Sequence, residues 1–370
     1  MKILHFCTYY MGSTVYKDLF SKLKNCNIEQ LVFVPVRDKK HIDNNRVEGL
    51  DISYVYCLSI FTKLFYILKL FILTILSLYK YKRCDVDYVH AHTLYADGIP
   101  AYIYALTFKK RLIITLRNTD VNVGFKFYPH YKWLAKKSLS YCDSIVFISK
   151  EHRSIFIEYF GDDFSNKIKV IPNGLTDYYI DNAVSKRSSV PSVDVGLYIG
   201  CCDKNKNIKM AIESFFHSTD NKSLFYIVGF SHDDYKNCYG LLDSKYEERV
   251  TFWGRKKTEE IINIIDRSSV FIMVSHYETF GLVYLEAISR CVPVIYTEGQ
   301  GFDGAVNDFY CGESCNPNDI CDISNKITKV LDYYPKGLIF PDKNIVTKFS
   351  WNSIANNYIK NIYKKGCSDD

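Results

Sequence analysis

The chain has 370 residues, 48% of them hydrophobic, which is enough for two domains with cores of their own. Its formal net charge of +6 is uneven: residues 1–180 carry 25 Lys and Arg against 16 Asp and Glu, and residues 181–370 carry 22 against 25. The excess peaks in residues 61–140, with 13 basic against 4 acidic, so the first half calls for an anionic partner such as a membrane surface, a lipid phosphate or nucleic acid. Thirteen cysteines suggest a disulfide scaffold. They follow no metal spacing, however, and Met1–Phe6 reads as a strand and not as an export segment, so free thiols in a reducing cytoplasm are expected.

Ile3–Thr8 is expected as the first strand, followed by a turn at Tyr9–Ser13 and a helix through Leu23. The turn lacks Gly-x-Gly-x-x-Gly, which argues against a dinucleotide oxidoreductase. Leu31–Pro35 and Ile52–Val55 are further strands. Residues 58–83 form an unusually greasy helical stretch. Lys63 and Lys69 interrupt it, so no uncharged run reaches the roughly 18–20 residues that span a bilayer. On a helical wheel Ser59, Thr62, Lys63, Lys69, Thr74, Ser77 and Lys80 share an arc of roughly 140°, and the rest is nearly all apolar. Two readings stand: a crossover helix packed on the sheet, and a face that, with Lys80, Lys82 and Arg83, touches the anionic inner membrane leaflet.

Asp87–His92 ends a strand with His-Ala-His. Leu112–Leu116 is the next strand and opens the polar loop Arg117-Asn-Thr-Asp-Val121. His90 and His92 share a face at i, i+2 but have no third ligand in the sequence, so no metal site is expected. Ser144–Ile148 and Val170-Ile-Pro-Asn-Gly174 close the domain. Residues 181–192 read as a linker. The second domain begins with Val195–Gly200, then the turn Cys201–Asn207. Leu224–Gly229 and Val250–Trp253 follow as strands.

Residues 270–300 carry the most chemistry. Val270–Val274 is a buried strand, a polar loop follows, a helix opens near Gly281, and Val292–Tyr296 is the next strand. This βαβ unit puts its loop where open parallel sheets place ligands. Phe280, Gly281 and Leu282 offer backbone N–H groups at a helix start, suited to a phosphate. Glu278 in the loop and Glu286 inside the helix flank that site. One carboxylate can face a sugar while the other accepts ribose hydroxyls. Gly299-Gln-Gly-Phe-Asp-Gly304 is a loop near this site, and Ser350-Trp-Asn-Ser opens a Ser-capped last helix.

The string Ser-x-x-Glu-x-Phe-Gly-Leu-x-x-x-Glu-Ala, with His-Ala-His, Thr-Leu-x-x-Thr-Asp-Val and Ile-Pro-Asn-Gly, resembles the retaining GT-B glycosyltransferases of family four over nearly the whole chain. That resemblance implies an α/β protein with two Rossmann-like domains facing across a cleft. Residues 1–180 would bind the acceptor, with a helix 351–366 packing back onto them, and residues 181–350 would bind a nucleotide sugar. It places Lys206 on the donor diphosphate, Glu278 at the transferred sugar and Glu286 on the ribose, and it makes Gly12 a contact at the turn after the first strand.

Two positions depart from the family pattern. Cys201 stands where the family carries Arg, with Arg255 as a compensating cation. Arg117 stands where it usually has His, so that it can hold a charged sugar or an acceptor phosphate. The implied activity is retaining, metal-independent hexosyl transfer from a UDP- or GDP-linked sugar to a saccharide acceptor. That acceptor is lipid-linked in the manner of capsule, lipopolysaccharide or exopolysaccharide assembly. No cofactor and no nucleic-acid partner are implied. A non-catalytic GT-B binding subunit and a sugar-nucleotide 2-epimerase are the alternatives.

Overall fold

The computed structural model describes residues 1–363 except 39, 41, 43, 44, 307 and 308; residues 364–370, which include the end of the expected helix 351–366, lie outside the description, as do the side chains of Lys63 and 343–345. The chain divides into two compact units, residues 1–174 with 351–370, and residues 175–350.

The first unit is built on a seven-stranded parallel sheet of order β3-β2-β1-β4-β5-β6-β7. Its strands are β1 (Lys2–Phe6), β2 (Glu29–Val36), β3 (Asp51–Tyr56), β4 (Tyr88–Ala91), β5 (Arg111–Leu116), β6 (Ser144–Phe147) and β7 (Ile168–Val170). The central strands are near-continuous apolar runs because helices cover both faces. The helix Trp351–Tyr358 belongs to this unit, with Trp351 lying against Gly174 so closely that any β-carbon there would enter the indole. Gly174 of Ile-Pro-Asn-Gly is thus a packing requirement.

The second unit has a six-stranded parallel sheet of order β10-β9-β8-β11-β12-β13. Its strands are β8 (Val195–Ile199), β9 (Leu224–Val228), β10 (Val250–Phe252), β11 (Val270–Met273), β12 (Val294–Thr297) and β13 (Gly312–Cys315). All twelve cysteines among the described residues are free.

The greasy stretch 58–83 differs from expectation in two ways. It is not one helix: Ile60–Leu64 and Tyr66–Tyr81 are separated at Phe65, whose backbone is extended. The middle of its polar arc faces the protein, while Ser59 and Lys80 at its ends are exposed. Thr62, Thr74 and Ser77 are buried, and Thr74 and Ser77 donate to the carbonyls of Leu70 and Thr74. Outward point Ile60, Phe61, Leu64, Phe65, Ile67, Leu68, Phe71, Ile75 and Tyr79, each at least 41% exposed. Among the described residues no helix is long and apolar enough to cross a membrane.

Candidate functional site

In the second unit the carboxyl ends of β8 and β11 are strapped together through one asparagine. Asn205 accepts at its side-chain oxygen from the Tyr277 amide at 3.0 Å, donates to the Tyr277 carbonyl at 2.9 Å, and its own carbonyl takes the His276 amide at 2.9 Å. This strap fixes Lys206 beside the loop after β11. The Lys206 ammonium lies 2.6 Å from Glu278 Oε2, with both side chains largely buried. Glu278 Oε1 accepts from the Thr279 amide at 3.0 Å, and the Glu278 amide donates to Gln300 Oε1 at 3.0 Å, so the loop 299–304 buttresses the Glu278 backbone.

The helix Leu282–Ser289 opens immediately beyond. Gly281 caps it at φ +78, a left-handed conformation that suits glycine, and a β-carbon there would strike Tyr284. Tyr284 in turn donates to the Met273 carbonyl at 2.5 Å, pinning the helix start to the end of β11. Phe280 is buried beneath. The first amides of this helix have no partner within it, and the helix dipole adds to their pull on an anion. Glu286 sits half-buried in the second turn beside Tyr179, whose hydroxyl hydrogen-bonds its carboxylate. Burial pushes Glu286 up to about 7, and the Tyr179 bond opposes part of that rise.

Arg255 follows Gly254 and lines a cavity of about 630 Å³ with Cys201, Cys202, Ser231 and Asp234. The residue standing for the family's arginine and the cation expected to replace it thus share one cavity. Lys206 and Glu278 do not line it.

In the first unit the expected residues disperse. Gly12 is exposed at the end of the turn Tyr10–Gly12, with open space around it. Arg117 is half-buried. Its guanidinium lies 4.6 Å over the Tyr16 ring and 3.5 Å from Asn173 Oδ1, and its Nε is buried without a hydrogen-bond partner. His90 and His92 do gain a third histidine, His5 of β1, which pairs with His90 in register. All three are fully buried. His90 Nδ1 meets the Tyr363 hydroxyl at 2.7 Å and Nε2 meets Thr115 Oγ1 at 2.8 Å, while His5 and His92 pair at 3.0 Å. Both ring nitrogens of His90 are therefore engaged, whereas His5 Nε2 and His92 Nδ1 are buried without a hydrogen-bond partner. Burial holds the three rings neutral, lowering His5 to about 3 and the other two well below their usual value.

A second cavity, of about 250 Å³, opens at the carboxyl ends of β1, β4 and β5 and was not anticipated. Tyr9, Tyr66, Tyr95, Tyr128, Lys69 and Arg37 line it, with Asp120 at its floor. Asp120 accepts from the amides of Leu94, Tyr95 and Arg117 at 2.9–3.0 Å, and burial pushes it up to about 7. Neighbouring Asp97 accepts from the Thr8 amide and the Thr8 and Thr93 hydroxyls, and burial raises it to about 6. The sequence signals were Thr62 and Lys69 in the polar arc and Asp120 in the loop after Leu116. A wheel cannot show that this arc turns inward.

Residues 12–177 match the family model Glycosyltransferase Family 4, and residues 185–337 match Glycosyl transferases group 1. A glycogen synthase of Mycobacterium tuberculosis is 26% identical over 288 residues, 73% of this chain and 66% of that protein, so the chain spans just under two thirds of its length. An Escherichia coli UDP-Gal:alpha-D-GlcNAc-diphosphoundecaprenol alpha-1,3-galactosyltransferase is 26% identical over 325 residues, 79% of this chain and 76% of the other. Among solved structures, Anabaena HepE in complex with UDP and glucose superposes with a TM-score of 0.68 at 16% identity, covering 98% of this chain and 100% of that one. The lipopolysaccharide outer core galactosyltransferase WaaB gives 0.70 at 17% identity, covering 97% and 99%. At these identities the structural likeness concerns the fold, two Rossmann-like domains of the GT-B type.

Proposed function

Since the chain belongs to the glycosyltransferases of family 4 and group 1, we propose that it transfers a hexose with retention from a UDP- or GDP-linked donor to a lipid-linked saccharide in envelope polysaccharide assembly. The observation that carries this reading is the Lys206–Glu278 pair, 2.6 Å long, set beside the helix that opens at Gly281. Leaving-group departure builds negative charge on the diphosphate. Lys206 and the amides of Phe280, Gly281 and Leu282 stabilise that charge where it develops, without a metal ion. Lys206 exchanges its carboxylate partner for the diphosphate, which frees Glu278 to face the transferred sugar. Glu286 accepts from the ribose hydroxyls. Arg255 supplies the cation that Cys201 lacks, and Arg117 in the first unit is left for a charged sugar.

Uridine is favoured over guanosine, since HepE holds UDP and the Escherichia coli relative is named for UDP-Gal. The outward apolar face of residues 60–79, followed by exposed Lys80, Lys82 and Arg83, suits peripheral contact with the anionic cytoplasmic leaflet, where a lipid-linked acceptor would be met.

Cys201 in place of an arginine favours one rival, a non-catalytic subunit. Turnover separates the readings. Purified protein incubated with UDP-hexoses in EDTA, with a lipid-linked saccharide as acceptor and water as the fallback acceptor, should release UDP as the hexose is transferred, and Lys206→Ala should not. A 2-epimerase would yield the epimeric sugar, and a non-catalytic subunit would bind UDP without releasing any. Either of the last two outcomes would overturn the proposal.

A further inference from the structure

The cavity of the first unit gathers two cations that the donor chemistry leaves unused. Lys69 is half-buried, and Arg37, itself exposed, lines the same space. Neither has a carboxylate within ion-pair distance among the described residues. The nearby acids are already committed. Asp97 is taken by Thr8 and Thr93, and Asp120 by three backbone amides. Withdrawal of water lowers the Lys69 pKa, with Asp97 only partly offsetting that loss and Arg37 adding to it. The desolvated Lys69 charge is stabilised when an anion enters, and Arg37 at the exposed side of the cavity adds a second donor.

The walls add two constraints. Four tyrosines line it: Tyr66 donates to the Tyr95 carbonyl at 2.8 Å and stacks on Tyr128, Tyr95 is buried, and Tyr9 and Tyr128 are left to present aromatic surface and a hydroxyl, which suit a sugar better than a bare ion. A volume of about 250 Å³ lies just below the range of roughly 300–1,000 Å³ for small-molecule sites, so it admits a head group and not an oligosaccharide. The helices that supply Thr62, Tyr66 and Lys69 to the cavity turn Phe61, Leu64, Phe65, Leu68 and Phe71 outward, each at least 41% exposed. A polar pocket and an apolar track thus lie on opposite faces of the same two short helices.

We infer that this cavity binds the phosphate of an anionic long-chain amphiphile, with Lys69 and Arg37 on the phosphate, the tyrosines against its first sugar, and its chain leaving along the outward apolar face. Identifying that amphiphile as the acceptor rests on the glycosyltransferase reading; the phosphate site itself does not. The assignment moves the expected acceptor-phosphate contact from Arg117, which does not line this cavity, to Lys69 and Arg37.

Calorimetric titration of the full chain with farnesyl phosphate, farnesol and inorganic phosphate tests this. Farnesyl phosphate should bind at least tenfold more tightly than either of the others. Lys69→Gln and Arg37→Gln should each weaken it at least tenfold while leaving farnesol unaffected. Unchanged affinity in both variants overturns the site, and inorganic phosphate binding as tightly as farnesyl phosphate overturns the amphiphile. UDP titrated into the same samples reports on folding and on the donor reading separately. UDP bound with no effect of either substitution removes this site alone. Farnesyl phosphate bound in the expected pattern with no UDP bound by any protein supports the site and removes the donor reading.

Discussion

If Glu286 accepts the ribose hydroxyls, donor affinity must follow its ionisation. Burial beside Tyr179 holds its pKa at about 7 in the free protein. About nine tenths of the carboxyl is ionised at pH 8 and about one tenth at pH 6, a tenfold change worth about 1.4 kcal/mol. Hydroxyl donors favour the carboxylate, so binding lowers its pKa, and affinity is held above pH 7 and lost as pH falls through it. UDP-glucose is the ligand to use, because its diphosphate diester exchanges no proton in this range. Calorimetry from pH 8 to pH 6 should show the dissociation constant of wild type rising about tenfold. Glu286→Gln keeps the shape and removes the charge. It should lose roughly 1.5–3 kcal/mol at pH 8, the worth of hydrogen bonds to a charged group, and its affinity should not vary with pH. Glu286→Ala should be weakened by an order of magnitude or more. A pH-independent wild type, or a glutamine variant that binds as well as wild type at pH 8, would remove Glu286 from the ribose.

Neutralising Lys80, Lys82 and Arg83 should release the protein from anionic vesicles in a sedimentation assay. At about 1 kcal/mol per basic residue near the surface, partitioning should fall by roughly a hundredfold; no change would sink the membrane contact. Gly174→Ala should destabilise the first unit by about 1–3 kcal/mol, because the new methyl must displace the Trp351 ring. Urea unfolding measures this, and an unchanged midpoint would mean that Trp351 packs elsewhere.

Much of this was legible because parallel strands buried on both faces read as apolar runs, and because the strand–loop–helix unit around Glu278 and Glu286 is short and contiguous. Burial and long-range geometry were not legible. β13, Gly312-Glu-Ser-Cys, gives no apolar signal; it is an edge strand whose Glu313 is held by Lys326 at 2.9 Å and by Lys329. The wheel of residues 58–83 grouped Thr62, Lys69, Thr74 and Ser77 on one face but not Leu70, Leu73 and Tyr81, which are buried with them, and it could not say which face meets the protein, since amphipathicity has no sign until a neighbour is known. The partner His5 and the meeting of Lys69 with Arg37 join residues from separate elements and leave no local pattern.

The most direct test of the central claim is calorimetric titration of UDP and GDP, without added metal, into wild type and Lys206→Ala. Micromolar binding of UDP by wild type, weakened at least tenfold in the variant, is the predicted result. Binding of neither nucleotide, or binding indifferent to Lys206, would contradict a donor site built on the Lys206–Glu278 pair.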